Sequence, residues 1–269
     1  MSCDLFFPYS LEDAPAISET ADPPEDDTDK PEGIFFSVAE NKYVKFSSGN
    51  LQYNAFLDEW RFAPNQYDWI GEANRNISST YNGWIDLFGW GTSDSPTKKS
   101  QDCTDYTIFI DWGNNKIGNN AKNTWRTLTE EEWDYVLEDR LKSTLLNALG
   151  CIDGVNGLIL LPDNWERPAG VTFNSGIGDG LSQNVYTLEK WELMESAGAV
   201  FLPAAGNRSG IDIADGNEWG YYWSSSLHLN QSQKFFHFCI FSSESHMVLG
   251  FADINYCGHS VRLVKEISQ

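Results

Sequence analysis

A chain of 269 residues with 18 basic and 39 acidic side chains has a formal charge of −21, and without clustered lysines and arginines this excludes nucleic acid and anionic membrane surfaces as partners. The length favours one large domain with a tail over two domains. Aromatic residues make up 14% of the chain and include 11 tryptophans, a composition typical of large side chains packed against irregular backbone rather than of a cytosolic α/β enzyme.

The first 32 residues are predicted to form an extended tether. They carry ten acidic side chains against Lys30 alone, together with five prolines, and such a segment does not fold by itself. Cys3 at the head of this acidic segment is typical of a mature lipoprotein, so we expect a secreted protein or an outer-membrane lipoprotein; an ordinary cytosolic start is the alternative. No apolar run is long enough to span a bilayer, so direct membrane insertion is not expected.

The five cysteines do not predict a disulfide framework, because their number is odd and no pair has CxxC spacing. Free or half-buried thiols are expected, and a bridge between neighbouring strands at Cys239 and Cys257 is the alternative. The cysteines are Cys3, Cys103, Cys151, Cys239 and Cys257.

The folded domain is predicted over residues 33–269 and begins with a hairpin. Two β-rich runs, Ile34–Val38 and Tyr43–Phe46, flank a polar loop of four residues. Residues 47–125 hold six tryptophans and many Asn and Gly residues, which indicates loop-rich structure packed by aromatic rings. A short helix is predicted within this segment over Tyr81–Phe88.

A long helix is predicted over Thr129–Leu149. Thr129 followed three residues later by Glu132 is the pattern of a capping box, and Gly150 is expected to end the helix. The apolar stripe of this helix has helical spacing and consists of Trp133, Val136, Leu137, Leu141 and Leu145.

Buried strands are predicted over Gly157–Pro162 and Ala199–Pro203. Between them a second helix over Thr187–Gly198 turns Trp191 and Met194 toward the core. The C-terminal part is predicted to be an antiparallel meander of four strands. These strands are Tyr221–Ser225, Lys234–Phe241, Met247–Phe251 and Ser260–Val264.

Three stretches carry a family resemblance. Trp125–Tyr135 is similar to the RLPTEAEWEYA signature of the formylglycine-generating-enzyme superfamily, a branch of the C-type-lectin-like fold. Gly220–Ser226 resembles its WSSS segment, and Gly258–Val264 resembles its closing GFR strand. Residues 33–269 also resemble a group of secreted proteins from Gram-negative gut anaerobes, through the phrases Phe46–Tyr53, Leu160–Trp165 and Phe201–Gly206. The resemblance implies an α+β, C-type-lectin-like fold with two helices and a twisted antiparallel sheet, rich in loops.

That group includes target proteins of diversity-generating retroelements, whose C-terminal strands and loops are hypermutated into a variable binding surface. The segment Leu227–His259 contains all four histidines and two of the five cysteines, residue types that mutated AAC-type codons can encode. The resemblance therefore implies a non-catalytic surface protein that binds an unknown protein or glycan ligand without a cofactor. The predicted ligand-binding residues are Tyr222, Leu227, His228, Asn230, Ser232, His237, Cys239, Phe241, Phe251, Ile254, Tyr256 and His259.

Strand periodicity supports an exposed stripe in this segment. Alternation in Phe236–Phe241 places Phe236, Phe238 and Ile240 on one face and His237, Cys239 and Phe241 on the other. If the first face is core, the second presents aromatic, imidazole and thiol groups to a partner. Burial of both faces between layers is the alternative.

Enzymatic and metal-binding interpretations have weaker support. The superfamily's copper-dependent oxidase uses two closely spaced cysteines near its C-terminus, and Cys239 and Cys257 do not reproduce that spacing. Leu161–Trp165 only partly resembles the calcium-binding loop of classical lectins and is interpreted as a turn, while a structural calcium ion elsewhere stays open. The four histidines lack a recognisable ligand spacing. Ser224–Ser226 lacks the GxSxG elbow of a serine hydrolase. A structural or fimbria-associated subunit is the main rival function, and an oxidase is a distant one.

Overall fold

The computed structural model describes residues 31–176, 180–227, 233–240 and 245–267, and for residues 180, 233–240 and 245–252 it describes the backbone alone. The described backbone forms sixteen β-strands and three α-helices. The strands are β1 (Phe36–Ala39), β2 (Lys42–Phe46), β3 (Leu51–Asn54), β4 (Glu59–Phe62), β5 (Trp84–Ile85), β6 (Arg126–Thr127), β7 (Asn147–Ile152), β8 (Val155–Leu160), β9 (Val185–Tyr186), β10 (Val200–Pro203), β11 (Asn207–Ser209), β12 (Asp212–Ala214), β13 (Trp219–Leu227), β14 (Gln233–Ile240), β15 (Ser245–Asp253) and β16 (Leu263–Ile267). The helices are α1 (Glu130–Asp134), α2 (Gly180–Gln183) and α3 (Leu188–Ser196).

The strands combine into five small sheets. Their strand orders are β1-β2-β16-β6, β10-β8-β7-β9, β4-β3-β5, β13-β14-β15 and β11-β12. Among the strand pairs of the described residues, only β7 and β9 run parallel. Few helices and several antiparallel sheets are compatible with the predicted α+β class. The predicted tether over residues 1–32 lies outside the described residues except for its last two, so it stays a prediction.

The predicted N-terminal hairpin is confirmed. Phe36 of β1 lies opposite Val44 of β2, and both side chains are buried. The turn passes through Asn41, whose φ of 57° is a left-handed conformation that asparagine tolerates better than most residues.

The last strand does not continue the C-terminal meander, so that part of the prediction is wrong. β13, β14 and β15 form a three-stranded antiparallel sheet as expected, but β16 leaves it and pairs with β2 and β6. The reason is burial: beside β2, Val264 packs in the same core cluster as Val44 and Phe36. The chain therefore closes by placing its last strand against its first hairpin.

The predicted start of the long helix is confirmed. Thr129 Oγ1 accepts a hydrogen bond from the Glu132 backbone N at 3.2 Å, and Glu132 Oε2 accepts one from the Thr129 backbone N at 3.0 Å. Glu132 also binds the guanidinium of Arg126, so the same carboxylate ties the helix to β6. Trp133 and the next turn bury their apolar side chains as the stripe predicts.

The predicted continuation of this helix to Leu149 is wrong. α1 passes into a π-helical turn over Tyr135–Asp139, and Arg140 then adopts extended backbone with ψ of 151°. The Arg140 guanidinium is buried, where it donates to Val136 O and to Asp163 Oδ1, each at 2.7 Å. Holding this charge inside turns the chain away from the helical path, so the last two leucines of the stripe are exposed instead of buried. They are Leu141 and Leu145, at 59% and 56% exposure.

The structure confirms the second predicted helix and the two predicted buried strands, but not the short predicted helix. α3 starts after Thr187 and is followed by Gly198 at a φ of 94°, and its Trp191 and Met194 are fully buried. β8 and β10 match the two predicted buried strands. The helix predicted over Tyr81–Phe88 is wrong, because β5 forms there by pairing with β3.

Three clusters of buried side chains fill the domain. The first joins β1, β2, α1 and β16, and the third lies between the β7-β8-β10 sheet and α3. The second cluster is built largely from residues 47–125 and includes Trp60, Phe88, Trp90 and Trp112, which confirms the predicted aromatic packing. Trp223 of β13 belongs to this second cluster and its neighbour Tyr222 belongs to the first, so β13 is buried on both faces at this point.

Candidate binding surface

The sheet β13-β14-β15 brings the ends of two predicted binding segments together. Leu227, the last residue of β13, lies opposite Gln233 of β14, and Gln233 lies opposite Asp253, the last residue of β15. Two interstrand spacings put Leu227 and Asp253 roughly 10 Å apart. Leu227 is 62% exposed, and Ile254, which follows Asp253, is 41% exposed. Two apolar side chains are therefore held in solvent at the same end of one sheet.

Asn255 fixes the loop that follows β15. It is buried, and its side-chain amide donates to the backbone oxygens of Cys103 at 3.0 Å and Tyr106 at 2.8 Å. Its own backbone oxygen accepts a hydrogen bond from Trp90 N at 2.9 Å. Because both the side chain and the backbone oxygen of Asn255 are hydrogen-bonded, the backbone of its neighbours Ile254 and Tyr256 is held in place. We call Leu227, Ile254 and Tyr256 the sheet-end surface; Tyr256 is partly exposed.

A buried polar group lies directly beneath this surface. Nε2 of the fully buried His259 lies 3.0 Å from Asp253 Oδ2, and the His259 ring packs against Tyr221 and Trp223. Burial lowers the pKa of His259, so at neutral pH the ring is neutral and its Nε2–H donates to the carboxylate. Burial together with the charge of Asp253 raises the pKa of the Cys257 thiol to about 12. Cys257 is therefore a thiol rather than a nucleophilic thiolate.

The prediction that Tyr222 and His259 are surface residues is wrong. The Tyr222 hydroxyl donates to Pro203 O at 2.9 Å and accepts from Asn50 Nδ2 at 3.1 Å, inside the core. His259 is buried by the hydrogen bond and ring contacts described above.

The remaining predicted residues lie where their side chains are not described. β14 places the backbone of His237 opposite Tyr221 and that of Cys239 opposite Trp219, which agrees with a strand there. The proposed exposure of one face of this strand lies outside the described side chains. The alternative of a Cys239–Cys257 bridge is wrong, because Cys257 is a free thiol. The predicted site residues whose side chains are not described are His228, Asn230, Ser232, His237, Cys239, Phe241 and Phe251.

Sequence reasoning missed the residues that hold the surface in place. Asp253 and Asn255 are polar residues on either side of an apolar one, a pattern that any exposed turn also shows. The role of Asn255 depends on the turn over Cys103–Tyr106, about 150 positions earlier in the chain. No local signal in the sequence links the two segments.

Neither metal chemistry nor membrane insertion gains support from the described residues. No group of three His, Cys, Asp or Glu side chains among them is arranged to hold a metal ion. Cys103, Cys151 and Cys257 are free thiols. In the same part of the chain, every helix is too short or too polar to cross a bilayer. Comparison of the chain with protein-family models, curated proteins and solved structures gives no match.

Proposed function

We propose that the chain is a non-catalytic binding protein of the cell surface and that it contacts its ligand through the sheet-end surface and the adjoining strands β14 and β15. The observation that carries this proposal is the exposure of Leu227 and Ile254 on backbone held by sheet register and by Asn255. Apolar groups on fixed backbone lose little conformational freedom when a partner covers them. Surfaces of this kind are typical of recognition sites on rigid scaffolds.

A C-type-lectin-like fold is part of the proposal, and contacts between the resembling stretches support it. Ser225 N in the WSSS-like segment donates to Leu128 O at 2.9 Å, just before the capping box of α1. Trp223 N donates to Ser260 O at 3.1 Å in the closing GFR-like stretch. The three resembling stretches, although far apart in the chain, are therefore in contact, as the proposed fold requires.

Within this proposal, Leu227–His259 contains the variable positions of a retroelement target. The flanking residues are suited to an invariant frame, since Trp223 is fully buried and donates from its indole Nε1 to Phe88 O at 2.6 Å. A near-copy of the codons for residues 222–264 beside a reverse-transcriptase gene would support this; a genome lacking both would contradict it.

We also propose that the protein is an outer-membrane lipoprotein anchored through Cys3, because Cys3 stands at the head of the acidic segment. Loss of lipid labelling in Cys3→Ala tests this anchor.

The rival function is a structural or fimbria-associated subunit, in which the same surface meets another subunit. An oxidase is a distant alternative, because Cys239 and Cys257 do not reproduce the two closely spaced cysteines of the superfamily's oxidase. Ligand binding by the isolated chain separates the first two functions, because a subunit surface should bind its neighbour and no soluble ligand.

The experiment is a screen of the wild-type chain against a glycan array and a library of extracellular protein domains, repeated with Leu227→Ser, Ile254→Ser and Tyr256→Ser combined. We expect the triple variant to lose at least tenfold in affinity for any partner that the wild type binds, because about 1.4 kcal/mol of apolar contact gives that factor. The matched control is Ile108→Ser with Ile211→Ser, two apolar residues that are exposed elsewhere at 73% and 53%. Equal binding by the triple variant and the wild type would reject the proposed site.

A further inference from the structure

Arg61 on β4 is held in one orientation with part of its guanidinium group unpaired. Its Nε donates to Oε1 of the buried Gln52 at 2.9 Å, and its Cζ lies 3.7 Å from the centre of the Trp84 ring. The Arg61 guanidinium makes no other hydrogen bond, and no ion pair within 4 Å, with any residue that the structure describes. The two Nη groups therefore form a preoriented fork of donors without a partner.

Two surface grooves meet at Arg61. The larger has a volume of about 740 Å³ and is lined by Glu59, Trp84, Lys116 and Asn119 among others. The smaller has a volume of about 380 Å³, and the half-buried rings of Tyr67 and Trp69 line it. Arg61 lines both grooves, so a ligand that fills either one can reach its guanidinium.

Two acidic side chains that line these grooves with Arg61 already accept hydrogen bonds, and the charge of one of them, Asp68, also acts on Arg61. Asp58 accepts a hydrogen bond from the Tyr53 hydroxyl at 2.9 Å, and Asp68 accepts one from Asn65 N at 2.9 Å. The side chains of Lys116 and Glu59 line the larger groove without a hydrogen bond or ion pair to described residues. The two grooves thus present two cations, Arg61 and Lys116, together with three carboxylates. Of these carboxylates, which are Asp58, Glu59 and Asp68, the Glu59 side chain alone accepts no hydrogen bond from a described residue.

We propose that these grooves bind an acidic oligosaccharide, with a sugar carboxylate received by the Nη fork of Arg61. A planar carboxylate matches the guanidinium fork in two parallel hydrogen bonds. Glu59 and Asn119 supply the acceptors and donors that sugar hydroxyls need, and the rings of Tyr67 and Trp69 suit the apolar face of a pyranose. This site is separate from the sheet-end surface and does not rest on the function proposed above.

An extended peptide is a poorer fit to the same grooves. A peptide would add as a strand to the outer edge of β4, which lies at the edge of the β4-β3-β5 sheet. Gly118 N already donates to Trp60 O on that edge at 2.8 Å. The chain itself therefore covers the edge, and what remains open is the side-chain groove.

The first test uses the wild-type chain and two probes, trigalacturonate and its methyl ester, in titration calorimetry at about 0.15 M salt. At that ionic strength the net charge of −21 is screened beyond about 8 Å. We expect trigalacturonate to bind with a Kd below about 1 mM and the uncharged ester to bind at least tenfold more weakly, because a charge-assisted bidentate bond is lost. Absence of trigalacturonate binding, or equal binding of the ester, would overturn the proposal.

The second test locates the site. Arg61→Lys keeps the charge but loses the planar fork, and we expect it to weaken trigalacturonate binding about tenfold. The control is Arg75→Lys, an exposed arginine paired with Glu72, which should bind as the wild type does. Trigalacturonate should also shift the Trp84 indole NMR signal of the wild-type chain, a measurement that does not depend on whether the variant folds. Unchanged affinity in Arg61→Lys, an unmoved Trp84 signal, or displacement of trigalacturonate by a peptide C-terminus would each contradict the proposal.

Discussion

The tryptophan-rich segment of residues 47–125 and the β7-β8-β10 sheet are both well buried, but different contacts hold them. In the sheet, antiparallel ladders satisfy the backbone, and aliphatic side chains such as Leu149, Leu158 and Leu160 fill the interior. In the tryptophan-rich segment, much of the backbone has no neighbouring strand. There, buried polar side chains are the hydrogen-bond partners of the backbone groups.

Asp86 and Arg208 illustrate the second arrangement. Asp86 accepts hydrogen bonds from Asn74 Nδ2 at 2.8 Å and from Ile70 N at 2.9 Å, although it is fully buried. Arg208 donates to Leu87 O at 3.2 Å and to Gly210 O at 2.7 Å. The comparison teaches that irregular backbone in a core requires buried polar residues as partners. A buried charge in such a region is therefore first a structural feature.

The largest effect is expected from removing a polar partner of the loops. Arg208→Ala leaves buried carbonyls without donors, so we expect the free energy of unfolding to fall by about 4 kcal/mol. Urea denaturation followed by tryptophan fluorescence measures this. Arg75→Ala removes an exposed ion pair with Glu72 and should cost less than about 1 kcal/mol. If both variants were equally stable, the loops would not depend on buried donors.

In the sheet, the sensitive change is apolar. Leu158→Ala removes a fully buried side chain between β7 and β10 and should cost about 3 kcal/mol through lost burial and a cavity. Leu193→Ala on α3 serves as the control, since that leucine is 44% exposed and should cost about 0.5 kcal/mol. A small loss in Leu158→Ala, measured in the same denaturation assay, would show that the sheet does not rely on aliphatic packing.

Asp86 adds a pH dependence that the sheet lacks. Burial raises its pKa to about 6, although the hydrogen bonds from Asn74 and Ile70 oppose the shift. Because the folded-state pKa is raised, this group stabilises fully below pH about 4, and the stabilisation is lost as the pH rises to about 6. Roughly two pKa units correspond to about 2.7 kcal/mol.

The test compares the wild type with Asp86→Asn in urea denaturation from pH 4 to pH 7. The variant cannot titrate at this position, so the difference in unfolding free energy between the two proteins should change by about 2.7 kcal/mol across that range and stay level above it. A difference that is constant from pH 4 to pH 7 would mean that Asp86 titrates normally.

The smallest effect is expected at the start of α1, whose Trp133 packs in one cluster with Leu149 and Leu158 of the sheet. Thr129→Ala removes the side-chain acceptor for Glu132 N and should lower the free energy of unfolding by about 1 kcal/mol. Thr129→Ser keeps the oxygen and should be within about 0.3 kcal/mol of the wild type. Equal losses in the two variants would indicate that the methyl group matters rather than the cap.

Local sequence signals predicted the elements that depend on neighbouring residues alone. The hairpin before residue 47, the capping box at Thr129 and the apolar face of α3 follow from spacing within a few positions. The helix over Thr129–Leu149 was overextended because Leu141 and Leu145 have helical spacing, whereas buried Arg140 and its partner Asp163 decide the backbone there. Pairings across the chain lie beyond such signals.

In the candidate site, too, features set by neighbouring residues were predicted and features set by distant residues were not. The exposed positions of Leu227 and Ile254 agree with the predicted binding segment, because strand ends followed by polar residues face solvent. Tyr222 and His259 were misplaced because their partners, Asn50 and Asp253 among them, become neighbours only through the tertiary fold. The Arg61 fork depends on Gln52 and Trp84 from two other strands, and spacing alone does not reveal it.

The pairing of β16 with β2 has a consequence for synthesis on the ribosome. The strand over Leu263–Ile267 fills the place between the first hairpin and β6, more than 130 positions after β6 is made. Until it leaves the exit tunnel, the hairpin has an open edge and the first core cluster lacks Val264. Completion of this core cluster thus waits until Leu263–Ile267 has been made, and nascent chains stalled before Leu263 should depend on chaperones.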